Sequence, residues 1–304
     1  MSYYRFLPIV FVSMSLALGG CASQPRGVSV NSLLLAEPEP TSQRSQMVIA
    51  RYTHILYQAP LSDEERAELL FQRGIAYDSI GLSSLAKLDF TEALRLKPDM
   101  AEAYNSVGVH YAQERQFLQA YEAFDSTLEI NPDYHFARLN RGIALYYGGR
   151  SELATKDTKA FLNQDESDPI RVLWHYIATR KVDELAAQQV LLNARNKLDE
   201  SLWSVSLVDF YLGKIDEAGV VAKLIGDVQS QAQLNNRLCE AYFYLGKYHA
   251  ANNNRSTAAN YFKLSLSTNV HEYVEHKYAR MELANLRAEN IKAQESREAA
   301  FENQ

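Results

Sequence analysis

The stretch AEAYNSVGVHYAQERQFLQAYEAFDSTLEINP, residues 101–132, decides the fold. It places small residues at Gly108 and Ala120, aromatic ones at Tyr104, Tyr111 and Phe124, and a closing proline at Pro132. The same positions recur 34 residues upstream, at Gly74, Tyr77, Ala86, Phe90 and Pro98, together with Leu70 and Ala93. They recur 34 residues downstream at Gly142, Leu145 and Ala154, with Thr158 in the aromatic place and no proline at the closing offset. Small residues are needed where two helices cross closely, because a larger side chain would wedge them apart. Proline suits the exit because it cannot continue a helix.

A helix pair of this length cannot bury its apolar face alone, so it stacks on neighbours and leaves an extended concave surface suited to gripping another protein. The period and the small, aromatic and proline positions are those of the tetratricopeptide repeat. The chain therefore reads as all-α, a helical solenoid with repeats at 67–100, 101–134 and 135–168. A fourth repeat, with Tyr242, Gly246, Ala258 and Phe262, spans 239–272. Gly246 lies two residues out of a whole number of periods from Gly74, so 169–238 is expected to be helical but irregular, with one divergent repeat between Trp203 and Gly226. Flanking helices are expected at 44–60 and 273–304. Ser62 with Glu65, and Asp99 with Glu102, have capping-box spacing, and Asp168-Pro169 reads as an N-cap followed by a first-turn proline.

Residues 1–20 carry one cation, Arg5, an apolar run from Phe6 to Leu18, and the small pair Gly19-Gly20 before Cys21. These are the three regions of a secretory signal peptide. The apolar run would rise only about 20 Å as a helix, short of the roughly 30 Å hydrocarbon core. Leu18-Gly19-Gly20-Cys21 resembles a bacterial lipobox, which makes Cys21 the expected lipid-attachment site and the first mature residue. Lipoprotein sorting implies the outer membrane, since residue 22 is Ala rather than Asp. Several acyl chains on one residue anchor stably without a spanning helix. Residues 21–43, rich in Ser, Gln and Pro, read as a tether, with Leu33-Leu34-Leu35 as an apolar island able to dock.

Composition narrows the function classes. A net charge of −6, or −7 once residues 1–20 are removed, speaks against nucleic acid. With Cys21 assigned to lipid, Cys239 has no intrachain partner, and no disulfide is expected. It is read as a buried apolar group at the start of a helix. His271-Glu-Tyr-Val-Glu-His276 misses the zinc-peptidase H-E-x-x-H by one residue, which on a single helix sets the histidines about 140° apart. No metal site and no cofactor are expected. The pairs Glu166-Ser167, Glu200-Ser201 and Glu295-Ser296 echo the Glu-Ser of helical peptidoglycan lyases, but no compact catalytic domain follows them. No nucleophile elbow, phosphate loop or dinucleotide fingerprint is present, so no catalytic residue is assigned.

The inward positions of the first helix of each repeat define the candidate partner-binding groove. They include Phe71, Ile75 and Asp78, then Asn105, Val109 and Gln113, then Phe136, Leu139, Ile143, Tyr146 and Tyr147. This lining becomes more apolar and aromatic along the chain, as suits a helix or an extended segment. Phe71 and Ile75 stand where a carboxylate clamp needs Lys and Asn. The tyrosine hydroxyls need water or a partner. Val48, Tyr52 and Ile55 share one face of the N-terminal helix and mark it as an arm for a second copy of the chain, making a homodimer.

The lipoprotein signal, N-terminal helix, three consecutive repeats, irregular middle and late repeat resemble the NlpI family of outer-membrane lipoproteins. The most specific stretches are Ala120 to Ser126, Leu139 to Arg150 and Phe243 to Tyr248. The resemblance implies a homodimeric, non-catalytic periplasmic adaptor that brings a tail-specific PDZ protease to a peptidoglycan endopeptidase and organises other cell-wall enzymes. It also implies effects on cell division and envelope integrity. Rival readings are a scaffold for outer-membrane protein assembly and a peptidoglycan-cleaving enzyme.

Overall fold

The computed structural model describes residues 34, 35, 37, 38 and 40–302, leaving aside the side chains of 290, 292–294 and 296–302. The expected signal peptide, Cys21 and Leu33 lie outside the described residues. Among those described, the chain forms fourteen helices and no strand. The protein is an all-α, tetratricopeptide-type helical solenoid.

The repeats are helical hairpins: α2 (Asp63–Ser79) with α3 (Ser83–Leu96), α4 (Ala101–Gln113) with α5 (Phe117–Ile130), and α6 (His135–Tyr147) with α7 (Ser151–Leu162). At the first two crossings a glycine of the first helix meets an aromatic ring of the second. A Cβ on Gly74 would lie 2.6 Å from the Phe90 ring, and one on Gly108 would lie 2.7 Å from Phe124. In the third hairpin Gly142 meets Thr158, whose Oγ1 lies 3.2 Å from Nδ1 of buried His175, so the smaller side chain is backed by an imidazole. Two hairpins are also riveted by bidentate ion pairs, Arg73 to Asp89 at 2.7 Å on both arms and Arg141 to Asp157 at 2.7 and 2.8 Å. The turns between the helices put Gly81, Arg115 and Gly149 in the left-handed region at one equivalent position. Arg115 at φ 62° bears a strain that glycine avoids there.

The segment 169–238 continues the stack as two shortened hairpins. They are α8 (Pro169–Arg180) with α9 (Glu184–Arg195), and α10 (Val205–Tyr211) with α11 (Glu217–Ile225). Arg195 bridges α9 to α10 through Asp209. The last hairpin, α12 (Gln231–Ala251) with α13 (Arg255–Ser267), repeats the glycine contact, Gly246 against Phe262 at 2.6 Å.

Caps explain where helices begin. Ser62 and Glu65 make both bonds of a capping box, and Asp168 accepts from the Ile170 N–H ahead of Pro169. Asp99 does not cap: α4 starts at Ala101, its N-cap is Met100, and Asp99 stands one residue too early to reach the first turn. Cys239 is likewise not at a helix start, because the Ser230 cap begins α12 two turns upstream. The thiol is fully buried, 3.6 Å from Ser265 Oγ, and burial pushes it up to about 12, so it stays an inert thiol at neutral pH.

Both chain ends fold back onto the stack. The helix α1 (Gln43–Gln58) caps α2, with Leu56 against the first-repeat core, Ser45 Oγ 2.9 Å from Ser79 Oγ, and Arg66 donating to the Leu56 carbonyl. Ahead of it, Leu34 docks on the main core and its carbonyl accepts from Tyr242, while Leu35 stays exposed. The helix α14 (Val274–Glu302) packs on α13 and α12 and crosses the concave side to reach α4.

An alanine inside a helix ordinarily gains about 1 kcal/mol over glycine. At Gly108 the added methyl must push the Phe124 ring aside, and overpacking of this kind costs roughly 1–3 kcal/mol. Gly108→Ala is therefore expected to lower stability by up to about 2 kcal/mol in urea denaturation, and Gly108→Ala/Phe124→Leu to recover part of any loss. A stabilising single substitution would refute the contact's role.

Candidate functional site

The inner helices α2, α4 and α6 line the concave face, and α14 runs across it. The groove residues consequently divide by depth. Val109, Leu139 and Ile143 are buried in the core rather than presented to a partner, because the stacked hairpins and the later helices close over them. Phe71 is half-buried, its ring 5.6 Å from Phe90, and also serves the core. Ile75 is partly open, while Asn105 accepts from Asn140 Nδ2 at 3.0 Å across two repeats. Phe136, at 59% exposure and 5.7 Å from the Phe161 ring, is the most open aromatic of the set.

Asp78, Tyr146 and Tyr147 find partners inside the chain. Lys277 Nζ of α14 donates to Asp78 Oδ2 at 3.0 Å. Tyr147 donates to Glu282 Oε1 at 2.6 Å and stacks on Tyr278, ring centroids 5.3 Å apart. Lys247 of α12, only 7% exposed, donates to Glu282 Oε1 at 2.5 Å and to Tyr146 at 2.9 Å. Its ammonium also lies 4.5 Å from the Tyr146 ring centroid. The tyrosine hydroxyls thus have intramolecular partners: Tyr147, expected to face a partner, is half-buried against α14 while its ring still lines the cleft beside that helix. Burial disfavours the Lys247 charge, and the adjoining Glu282 carboxylate outweighs it, leaving the ammonium held above the ordinary lysine range. Burial, then Glu282, raises the Tyr147 phenol well above its ordinary value.

What stays open beside α14 is a cleft of about 400 Å³. Tyr146 and Tyr176 line it with Arg180, Lys181, Lys247, Glu184 and Glu289. Lys181 is exposed and Arg180 half-buried, held by Glu184 at 2.7 Å. Of its walls the sequence named Tyr146 and Tyr147 alone, because the inward positions were read only from the first three repeats and α8 falls in the irregular segment. A second cleft, flanking α14 near Gln113 and Asp78, has a volume of about 650 Å³.

The sequence motifs with a chemical look resolve into structural roles. Glu166 pairs with Lys197 at 2.6 Å, Glu200 pairs with Arg195, and Glu295 is exposed on the last helix. His271 precedes α14, so the two histidines of the H-E-x-x-x-H segment do not share one helix. Their rings approach to 4.6 Å, against the expectation that they stand apart. No cluster of three or more metal-ligating side chains occurs among the described residues. Val48, Tyr52 and Ile55 are half-buried on α1, while Tyr57 on the same helix is 89% exposed.

No family model matches this chain. Solved structures that resemble it include a crystal structure of MamA, 21% identical over 49% of this chain and 85% of that one with a TM-score of 0.44. Another MamA structure is 20% identical over 51% and 82%, with a TM-score of 0.46. MamA from Desulfovibrio magneticus RS-1 is 17% identical over 52% and 97%, with a TM-score of 0.41. The likeness spans about half of this chain, and the solenoid assignment rests on the chain's own hairpin register.

The Lys247–Glu282 pair is buried, and removing one partner of such a pair strands a charge at a cost of about 3–5 kcal/mol. Lys247→Met is expected to lose about that much in urea denaturation, and Lys247→Met/Glu282→Leu to recover most of it. Equal losses in the single and double variants would rule this pair out as the clamp on α14.

Proposed function

We propose that this chain is a non-catalytic, protein-binding adaptor lipoprotein of the cell envelope. The observation that carries the reading is the stack of helical hairpins with a tyrosine-lined and cation-flanked cleft open beside α14. Such a surface offers aromatic anchors and a few convergent polar groups, the composition of a recognition site for a peptide segment. The NlpI-like order of elements supplies the finer reading. In it the chain is lipidated at Cys21, faces the periplasm from the outer membrane, and self-associates through α1. It brings a tail-specific PDZ protease to a peptidoglycan endopeptidase and organises other cell-wall enzymes. The mechanism is proximity: one surface holds the protease, another holds its substrate, and effective concentration rises without new catalytic chemistry.

Purified protease should degrade purified endopeptidase at least tenfold faster when this protein is added. Lys181→Glu, an exposed change at the mouth of the cleft, should remove most of that acceleration. No acceleration with active partners would overturn the protease-adaptor reading, and copurification with outer-membrane assembly machinery would replace it. Cys21→Ser should abolish labelling by radioactive palmitate and move the protein to the soluble fraction; retained labelling would rule out Cys21 as the anchor.

A further inference from the structure

Three imidazoles meet where α14 crosses the first two repeats. His110 of α4 is only 3% exposed, and its buried Nε2 makes no hydrogen bond. That nitrogen stands 3.4 Å from Asp78 Oδ1 of α2, whose other oxygen accepts from Lys277 of α14 at 3.0 Å. His271, on the approach to α14, packs so closely on Gly81 that a Cβ there would lie 2.9 Å from its ring. His276, in the first turn of α14, faces His271 and lies 3.2 Å from the Leu266 carbonyl through its Nε2. All three border the cleft of about 650 Å³.

The charges around this cluster leave no room for more cations. Asp78 is engaged by Lys277, and Glu114 of α4 is engaged by Lys87 of α3. Arg280 of α14 adds a further positive charge beside His271 and His276. Asp78 is the carboxylate that ties this cluster to α14; beside it, Glu275 in the first turn of α14 is buried and accepts from Tyr244 at 2.8 Å, and its carboxyl, raised by burial, opposes release by acid, while Tyr278 and Ala279 add apolar burial. A proton on His110 turns it into a rival of Lys277 for Asp78, and a proton on His271 or His276 sets a cation beside Lys277 and Arg280.

We propose that this cluster is an acid-sensitive latch: protonation of its imidazoles releases the first turns of α14 from the C-terminal ends of α2 and α4. The direction of the linkage follows from burial, which holds all three imidazoles below the ordinary histidine value, His276 at about 4. A base lowered in the docked state contributes docking energy that is fully present above 6.5 and is lost as pH falls from 6.5 toward 4. With His276 near 4 docked and near 6.5 released, it alone weakens docking about 30-fold between pH 7.5 and pH 5.0.

Hydrogen–deuterium exchange of the full chain, corrected for intrinsic rates, tests the latch without any partner, so its failure is separable from failure of the adaptor reading. Protection of residues 274–286 should fall at least tenfold from pH 7.5 to pH 5.0, while α12 and α13 keep theirs. Unchanged protection overturns the latch, and so does simultaneous loss across α12 and α13, which marks general acid unfolding. The variant His110→Gln/His271→Gln/His276→Gln should retain protection at pH 5.0, and loss equal to wild type in it overturns the role of the imidazoles. Should that variant fail to fold, Asp78→Asn supplies the second arm. Deprived of the carboxylate that holds Lys277, it should exchange over 274–286 at pH 7.5 as wild type does at pH 5.0, and unchanged exchange there overturns the proposal.

Discussion

The contact on which the rest of this molecule depends is a phenylalanine ring laid on a glycine. In three hairpins the ring comes within 2.6–2.7 Å of where a Cβ would stand, so the two helix axes approach as closely as backbone against ring allows. That approach sets the crossing of each pair, and repeating it sets the curvature of the stack. The third hairpin shows the constraint from the other side. Thr158 is too small to fill the place of the ring, and His175 of the next hairpin supplies the missing bulk.

Curvature, in turn, brings distant parts of the chain together. The last helix returns across the concave face to the first repeat, and residues just ahead of α1 lie along α12, where Asn235 donates to the Glu37 carbonyl at 2.9 Å. The contacts that hold α14 in the groove combine apolar burial of Tyr278, Ala279, Met281, Leu283 and Leu286 with polar pairs: Lys277 to Asp78, Tyr147 and Lys247 to Glu282, and Arg115 to Asn285. Polar pairs have narrow geometric tolerance, so they select one register for a helix that apolar packing alone would let slide. They also make its seating responsive to charge, which an apolar seam is not.

A groove crossed by the protein's own helix leaves two kinds of surface for the proposed adaptor role. The cleft walled by α6, α8, α12 and α14 is open as it stands. The C-terminal ends of α2 and α4, around Asp78 and His110, lie beneath α14, and access to them is tied to the seating of that helix. In the proposed adaptor role, partner recognition is divided between a preformed cleft and one tied to the seating of α14.

Repeat period and helix class were legible in the sequence, because glycine, aromatic and proline positions answer to local geometry that recurs in every unit. Ser62 and Asp168 were legible as caps for the same reason, and Asp99 was not, since a cap fails when displaced by a single residue. The inward positions of each first helix could also be numbered from the repeat alone. Which of them face a partner could not, because exposure depends on what the far end of the chain does. Val109 and Ile143 are buried, Tyr146 and Tyr147 are bonded to Lys247 and Glu282, and Phe136 is left open. The sequence by itself determined the repeating hairpin, a matter of contacts within about 34 residues. Only the tertiary structure decided that α14 lies in the groove and that His110 shares Asp78 with Lys277, because those contacts join residues up to 199 positions apart and no local pattern encodes them.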